Sequence, residues 1–158
     1  MQTQLTQKER SLLEDQKSHE EVCIQKYTSY AEQAHDPDLK RLFSQYASQE
    51  QEHYNTVNQF LQGQQAPQAG QQAGASPQSS GQNRGARFGN SAEAGDDAVL
   101  CNDMLMTEKY VSGTYDTAVF EASNSDLRQA LQHIQREEQQ HGEGIFNYMQ
   151  KNGMYHVK

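Results

Sequence analysis

The chain has 158 residues, within the roughly 100–200 residues of a single domain, and carries 13 Lys+Arg against 21 Asp+Glu for a net charge of -8. That acidity excludes nucleic acid, whose binding rests on cations neutralising phosphates, and anionic membrane surfaces as natural partners. The longest apolar run is Ala98-Val99-Leu100-Cys101, far short of the ~20 residues of a membrane span, and MQTQLTQKER has no apolar core, so no secretory signal is expected.

Helical periodicity begins early. Leu12/Leu13, Gln16, Glu20, Cys23/Ile24, Tyr27, Tyr30/Ala31 and Ala34 recur at three- and four-residue steps, which predicts a helix over about 5–35. Pro37 disfavours helix at the residue before it, and Asp36-Pro37 reads as an N-cap followed by a first helical residue. Leu39, Leu42/Phe43, Tyr46, Glu50, His53, Val57 and Phe60/Leu61 predict a second helix over 38–61. The chain then changes character from 62 to 95. Seven of the 11 Gly and two of the three Pro lie there, and Phe88 is its only large apolar residue. Such a stretch cannot bury enough surface to offset its ordering entropy, so it is expected to be a flexible Gln/Gly-rich linker. It also accounts for an apolar content of only 34%. A third stripe, Leu100/Cys101, Met104/Leu105, Glu108, Val111, Tyr115, Ala118/Val119 and Ala122, predicts a helix over 97–122. Asn124-Ser125-Asp126 makes a turn, and Leu127, Ala130/Leu131, Ile134, Glu138, His141, Ile145 and Tyr148/Met149 predict the last helix over 126–150. Gly153 is a natural helix stop, leaving 151–158 as a tail. Sustained period-two alternation is absent, so no sheet is expected.

The two hairpins, 5–61 and 96–150, form an internal repeat. At a constant offset of 88 residues and without gaps, Asp15 falls on Asp103, Glu20 on Glu108, Tyr27 on Tyr115, Ala34 on Ala122, Asp38 on Asp126, Leu39 on Leu127, Glu50 on Glu138 and His53 on His141.

Each hairpin sets polar residues into its apolar stripe: Glu20 with Glu50-x-x-His53, and Glu108 with Glu138-x-x-His141. Residues three apart share a helix face, so each Glu and its His point into the same space. Packing the hairpins together would bury four carboxylates with only two His and with no Lys or Arg on the inward stripes. An ionised carboxylate in an apolar interior is very costly without a partner. Two divalent ions would cancel the four charges. One Glu from each of two helices plus Glu-x-x-His from each of the other two is the ligand arithmetic of a di-iron or di-manganese carboxylate site, and carboxylate with imidazole suits both metals. Glu20 competes with Glu21, and Glu138 with Glu137, for the inward position; stripe and repeat favour Glu20 and Glu138.

On these residues the hairpin pair resembles the ferritin-like superfamily. More closely, KERSLLEDQKSHEEVCIQKY, SQEQEHYNTVNQFL and LMTEKYVSGTYDTAVFEA resemble the spore coat protein F family of endospore-forming bacteria. The resemblance implies an all-α, ferritin-like four-helix bundle spanning 1–158 as one domain, with 62–95 as the long crossover. It implies a metal centre of two Fe or Mn ions on Glu20, Glu50, His53, Glu108, Glu138 and His141, with Glu20 and Glu108 terminal and Glu50 and Glu138 bridging. It further implies a place in the spore coat or the cytoplasm of the sporulating cell, and partners among other coat proteins or copies of the same chain, a dimer included. Structural, oxidoreductase (peroxide or dioxygen) and iron- or manganese-storage functions are all compatible with it. A linker joining hairpins that pair with those of another chain, a domain swap, is the alternative to a crossover within one chain.

Other residues have plainer expected roles. Tyr27, Tyr115 and Tyr46 lie one or two turns from the glutamates, as core residues or as donors to the site. Cys23 and Cys101 sit on apolar stripes, where free Cys behaves as a small hydrophobe, and with no C-x-x-C pair there is no zinc ribbon or rubredoxin-type iron site. His19, His35, His133 and His156 have no partner at ligand spacing and are expected on the surface or in ordinary packing.

Overall fold

The computed structural model describes residues 4–63 and 90–155, among which there are four helices and no strand. Helix α1 spans Gln7–Gln33, α2 Pro37–Leu61, α3 Asn90–Glu121 and α4 Ser125–Lys151. The starts follow from capping chemistry. Thr6 and Glu9 form a reciprocal capping box at the head of α1. Asp36 caps α2 through the Asp38 amide, with Pro37 at the first helical position, and Asn124 caps α4 through the amides of Asp126 and Leu127. At the end of α4, Gly153 takes φ +69. Its amide reaches the Gln150 carbonyl, and the Met154 amide reaches that of Met149 at 2.7 Å. That left-handed closure explains why glycine stands there.

One boundary differs from the periodicity. Helix α3 begins at Asn90 rather than near 97, because Ala92-Glu93-Ala94 carries high helix propensity without an apolar stripe to reveal it. The rest of the expected linker, 64–89, and the last part of the tail, 156–158, lie outside the described residues.

Helix α1 packs on α2 and α3 on α4 as two hairpins, and the hairpins join through α1 against α3 and α2 against α4. Contacts between α1 and α3 run antiparallel, from Glu9 with Ser123 at one end through Gln16 with Thr114 and Lys26 with Asp103 to the His35 amide with Asp97 at the other. Neighbouring helices thus all run in opposite senses, which places the end of α2 and the start of α3 at opposite ends of the bundle. This is an all-α four-helix bundle of two hairpins.

The sequence repeat becomes a pseudo-twofold axis. Two apolar clusters exchange across it: Tyr27, Ala34, Leu39 and Phe43 lie in one, and their repeat partners Tyr115, Ala122, Leu127 and Leu131 in the other. Between these clusters lies a layer of buried charged side chains.

Candidate metal centre

All six residues singled out by pattern meet in that layer. Glu20, Glu50 and Glu138 are fully buried, and Glu108, His53 and His141 are at most 2% exposed. Helix α1 brings Glu20, α2 brings Glu50 and His53, α3 brings Glu108, and α4 brings Glu138 and His141. Their ligand atoms fall into two overlapping groups, Glu20, Glu50, His53, Glu138 and Glu50, Glu108, Glu138, His141, each within 4.8 Å of one another. Glu50 and Glu138 belong to both groups, and Glu20 and Glu108 to one each.

Distances repeat across the pseudo-twofold. His53 Nδ1 lies 2.8 Å from Glu138 Oε1, and His141 Nδ1 lies 2.8 Å from Glu50 Oε1. Each ring is held by the other hairpin's glutamate, while its own stripe partner is farther off: Glu50 is 3.4 Å from His53, and Glu138 is 3.8 Å from His141. The tyrosines pair in the same crossed way. Tyr27 donates to Glu108, and Tyr115 donates to Glu20 at 2.5 Å. The sequence left these two phenols open between core and site; they are fully buried and bonded to Glu108 and Glu20.

Burial pushes Glu20 and Glu138 well above the ordinary carboxylate range, and a neighbouring glutamate raises each further, Glu50 for Glu20 and Glu108 for Glu138. Burial alone would raise Glu50 too, but hydrogen bonds to Glu20, His141 and His53 outweigh it and hold Glu50 well below that range. Burial opposes charge on the imidazoles, yet the surrounding carboxylates raise both His53 and His141. Without metal, Glu20, Glu138 and both rings are thus all shifted toward their protonated forms.

Protons leave the layer incompletely satisfied. One oxygen of each glutamate, Oε2 of Glu20, Glu50, Glu108 and Glu138, is buried without a hydrogen-bond partner. Buried polar atoms are rarely left so. Four buried carboxylates, each with one unpaired oxygen, together with two imidazoles make a donor set that fits two hard or borderline divalent cations.

The surroundings are less symmetric. Gln49 Oε1 lies 2.5 Å from His141 Nε2, and Tyr46 stacks on the His141 ring with centroids 4.1 Å apart. Behind His53 stands Glu137, its Oε1 3.6 Å from Nε2, and His133 at the surface holds that carboxylate at 2.5 Å. Contact with His53 keeps Glu137 below the ordinary carboxylate range despite partial burial. His133 is thus exposed as expected, but it is tied to the centre through Glu137. Glu137 itself lies behind the histidine, leaving Glu138 inward. Gln49 escaped the sequence reading altogether; its position one residue before Glu50 was the available signal. Glu9 and Asp97, related by the same offset, were also missed.

Cys23 and Cys101 are fully buried and unpaired. Burial drives both thiols up, Cys101 to about 12 and Cys23 farther, with the four glutamates adding to the effect at Cys23. Outside Cys23 a cavity of about 300 Å³ opens between α1 and α3, with His19, Val22, Lys26, Met106 and Tyr110 in its wall.

The fold and its buried carboxylate–histidine layer define a class, a helical bundle with a core cluster of the residue types that could hold a metal ion. Comparison with protein families narrows this: residues 96–158, covering α4 and most of α3, match the Coat F domain, consistent with a spore coat protein F-like family. No curated protein and no solved structure matches the chain. Among the described residues no helix is long and apolar enough to cross a membrane.

Proposed function

We propose that this chain is a spore-coat-type protein built as a single ferritin-like domain, with a dinuclear Fe or Mn centre held by Glu20, Glu50, His53, Glu108, Glu138 and His141. The observation that carries the reading is the convergence of four buried glutamates and two buried histidines into two groups whose ligand atoms lie within 4.8 Å of one another. Two divalent ions held by these residues would cancel the charge of the four carboxylates. Glu50 and Glu138, common to both groups, would bridge; Glu20 and Glu108 would be terminal, each oriented by a tyrosine hydroxyl from the opposite hairpin. The coat role, with other coat proteins or further copies of the chain as partners, rests on the Coat F match.

Elemental mass spectrometry on protein purified without chelator or metal resin tests the centre. About two Fe or Mn per chain, reduced in His53→Ala, is the expected result. Folded protein that neither contains metal nor takes up Fe(II) or Mn(II) would refute it.

A second reading, an oxidoreductase acting on peroxide or dioxygen, draws on the cavity between α1 and α3. Its lining includes two residues related by the repeat, Cys23 and Val111, so it lies over the pseudo-twofold axis that also passes through the carboxylate layer. Two bound redox metals would supply electron transfer to a small oxidant; the chain's part is to exclude bulk water and to hold a proton on each tyrosine oxygen. Peroxide consumption or Fe(II) oxidation by the wild type, abolished in Glu50→Ala, would support this reading, and equal rates in the two proteins would remove it.

A further inference from the structure

The pseudo-twofold symmetry that relates the ligands fails behind the histidines. Position 49 on α2 corresponds to 137 on α4, and the residues are Gln49 and Glu137. Position 46 corresponds to 134, and the residues are Tyr46 and Ile134. His141 therefore has a neutral amide oxygen 2.5 Å from Nε2 and a phenol ring against its face. His53 has a carboxylate 3.6 Å from Nε2, in a buried setting without the stacked phenol.

In both halves Nδ1 faces the carboxylates and Nε2 points away from them; His141 Nε2 meets Gln49, whereas His53 Nε2 has no hydrogen-bond partner and faces Glu137 across 3.6 Å. The acceptor behind a metal-binding histidine sets its tautomer and its strength as a donor. Glu137 acts on His53 through its charge rather than through a hydrogen bond. A full negative charge at that distance makes Nδ1 more basic, and it acts over the extra ångström more strongly than the Gln49 amide dipole acts at contact. The ligands are otherwise matched: each group has one terminal glutamate, bonded to one tyrosine, and the same two shared glutamates.

We infer that the two metal positions are inequivalent, with the position at His53, Glu20, Glu50 and Glu138 filling first and the position at His141 holding the more weakly bound, exchangeable ion. The inference rests on the two-metal reading above and adds to it an order of loading set by Glu137 and Gln49. Changes in such outer partners alter metal affinity by about 10–100-fold, which is the separation expected between the two steps.

The test is a titration of the metal-depleted full chain with Co(II) and with Mn(II), followed by calorimetry and, for cobalt, by its visible absorption. Wild type is expected to show two steps. His53→Ala should abolish the tight step, and His141→Ala the weak one. Glu137→Gln should bring the two affinities together by weakening the first, and Gln49→Glu by strengthening the second. The two substitutions act on different helices, so failure of one to fold leaves the other decisive. Two ions bound with equal affinity, or a tight step that survives His53→Ala, would overturn the inference while leaving the two-metal centre standing. A folded wild type that binds neither ion would overturn both.

Discussion

Glu9 of α1 accepts two hydrogen bonds from Ser123, one from its amide and one from its hydroxyl, both 2.7 Å and both on the same oxygen. Its other oxygen closes the capping box on the Thr6 amide at 2.8 Å. Asp97 does the equivalent work at the opposite end, accepting from the amides of His35 and Asp36 at 2.9 and 3.0 Å. Each hairpin's turn is thus fastened by the first helix of the other hairpin. Both carboxylates are 3% exposed, where bonds to a charged acceptor are worth about 1.5–3 kcal/mol. Glu9→Ala and Asp97→Ala should each lower unfolding free energy by about 2 kcal/mol while leaving metal content unchanged. Chemical denaturation of the two variants checks this, and a change below ~0.5 kcal/mol in both would contradict the fastening role.

The shifted proton affinities of the metal-free layer make its stability depend on pH. Glu20 and Glu138 are raised in the folded state, chiefly by burial, so folding becomes less favourable as pH rises above their unfolded values near ~4.3. His53 and His141 are raised as well; their contribution is complete below ~6.5 and is lost as pH rises through the folded values. Glu50 is lowered, burial notwithstanding, which acts in the opposite sense, but its window closes above ~pH 5. The midpoint of thermal unfolding of the metal-free protein should therefore fall between about pH 6 and pH 9, by about 5 °C or more. Metal-loaded protein should lose far less over that range. Scanning calorimetry with and without chelator compares the two, and a metal-free midpoint that rises with pH would reverse the assignment.

Gly144 has no room for a side chain, because an added Cβ would overlap the Tyr46 hydroxyl. Gly144→Ala must push Tyr46 off the His141 ring or shift α4. The expected cost is about 1–3 kcal/mol, the usual range for overpacking a core. Tyr46→Phe removes the offending oxygen, so the double variant should recover much of that loss. Denaturation midpoints of the three proteins decide it, and simple additivity would show that the two residues do not meet.

Neither thiol should react in the folded protein. Cys23 and Cys101 are fully buried and their thiolates are strongly disfavoured, whereas thiol reagents attack the exposed thiolate. Both should modify only on denaturation, with mass spectrometry counting two adducts in denaturant and none without. Rapid labelling of the native chain at Cys23 would instead mean that the cavity between α1 and α3 opens readily.

The carboxylate–histidine cluster was legible in the sequence because its residue types and its symmetry coincide. Glu50-x-x-His53 alone would have been weak, but its recurrence at Glu138-x-x-His141, each with a glutamate upstream at equal distance, left little freedom. Helix ends at Asp36, Asn124 and Gly153 were legible because capping is local. What escaped lies where one of these supports fails. Gln49 is related by the offset to Glu137 but differs from it in charge, so identity did not flag it, and Glu137 itself was weighed only as the rival of Glu138. Glu9 reads as an ordinary capping residue, and its second partner is 114 positions away. The start of α3 lacks an apolar stripe, so periodicity had nothing to follow.

The break between Gln49 and Glu137 bears on why one chain holds both hairpins. A homodimer of a single hairpin could assemble the same four glutamates and two histidines about a true twofold axis. Every change on one side would then be copied to the other, and neither histidine could be backed by a residue its mate lacks. Covalent fusion removes that constraint: two halves encoded separately can drift apart one position at a time while the shared core stays matched. The unlike neighbours of His53 and His141 are a difference that no assembly of identical copies could carry.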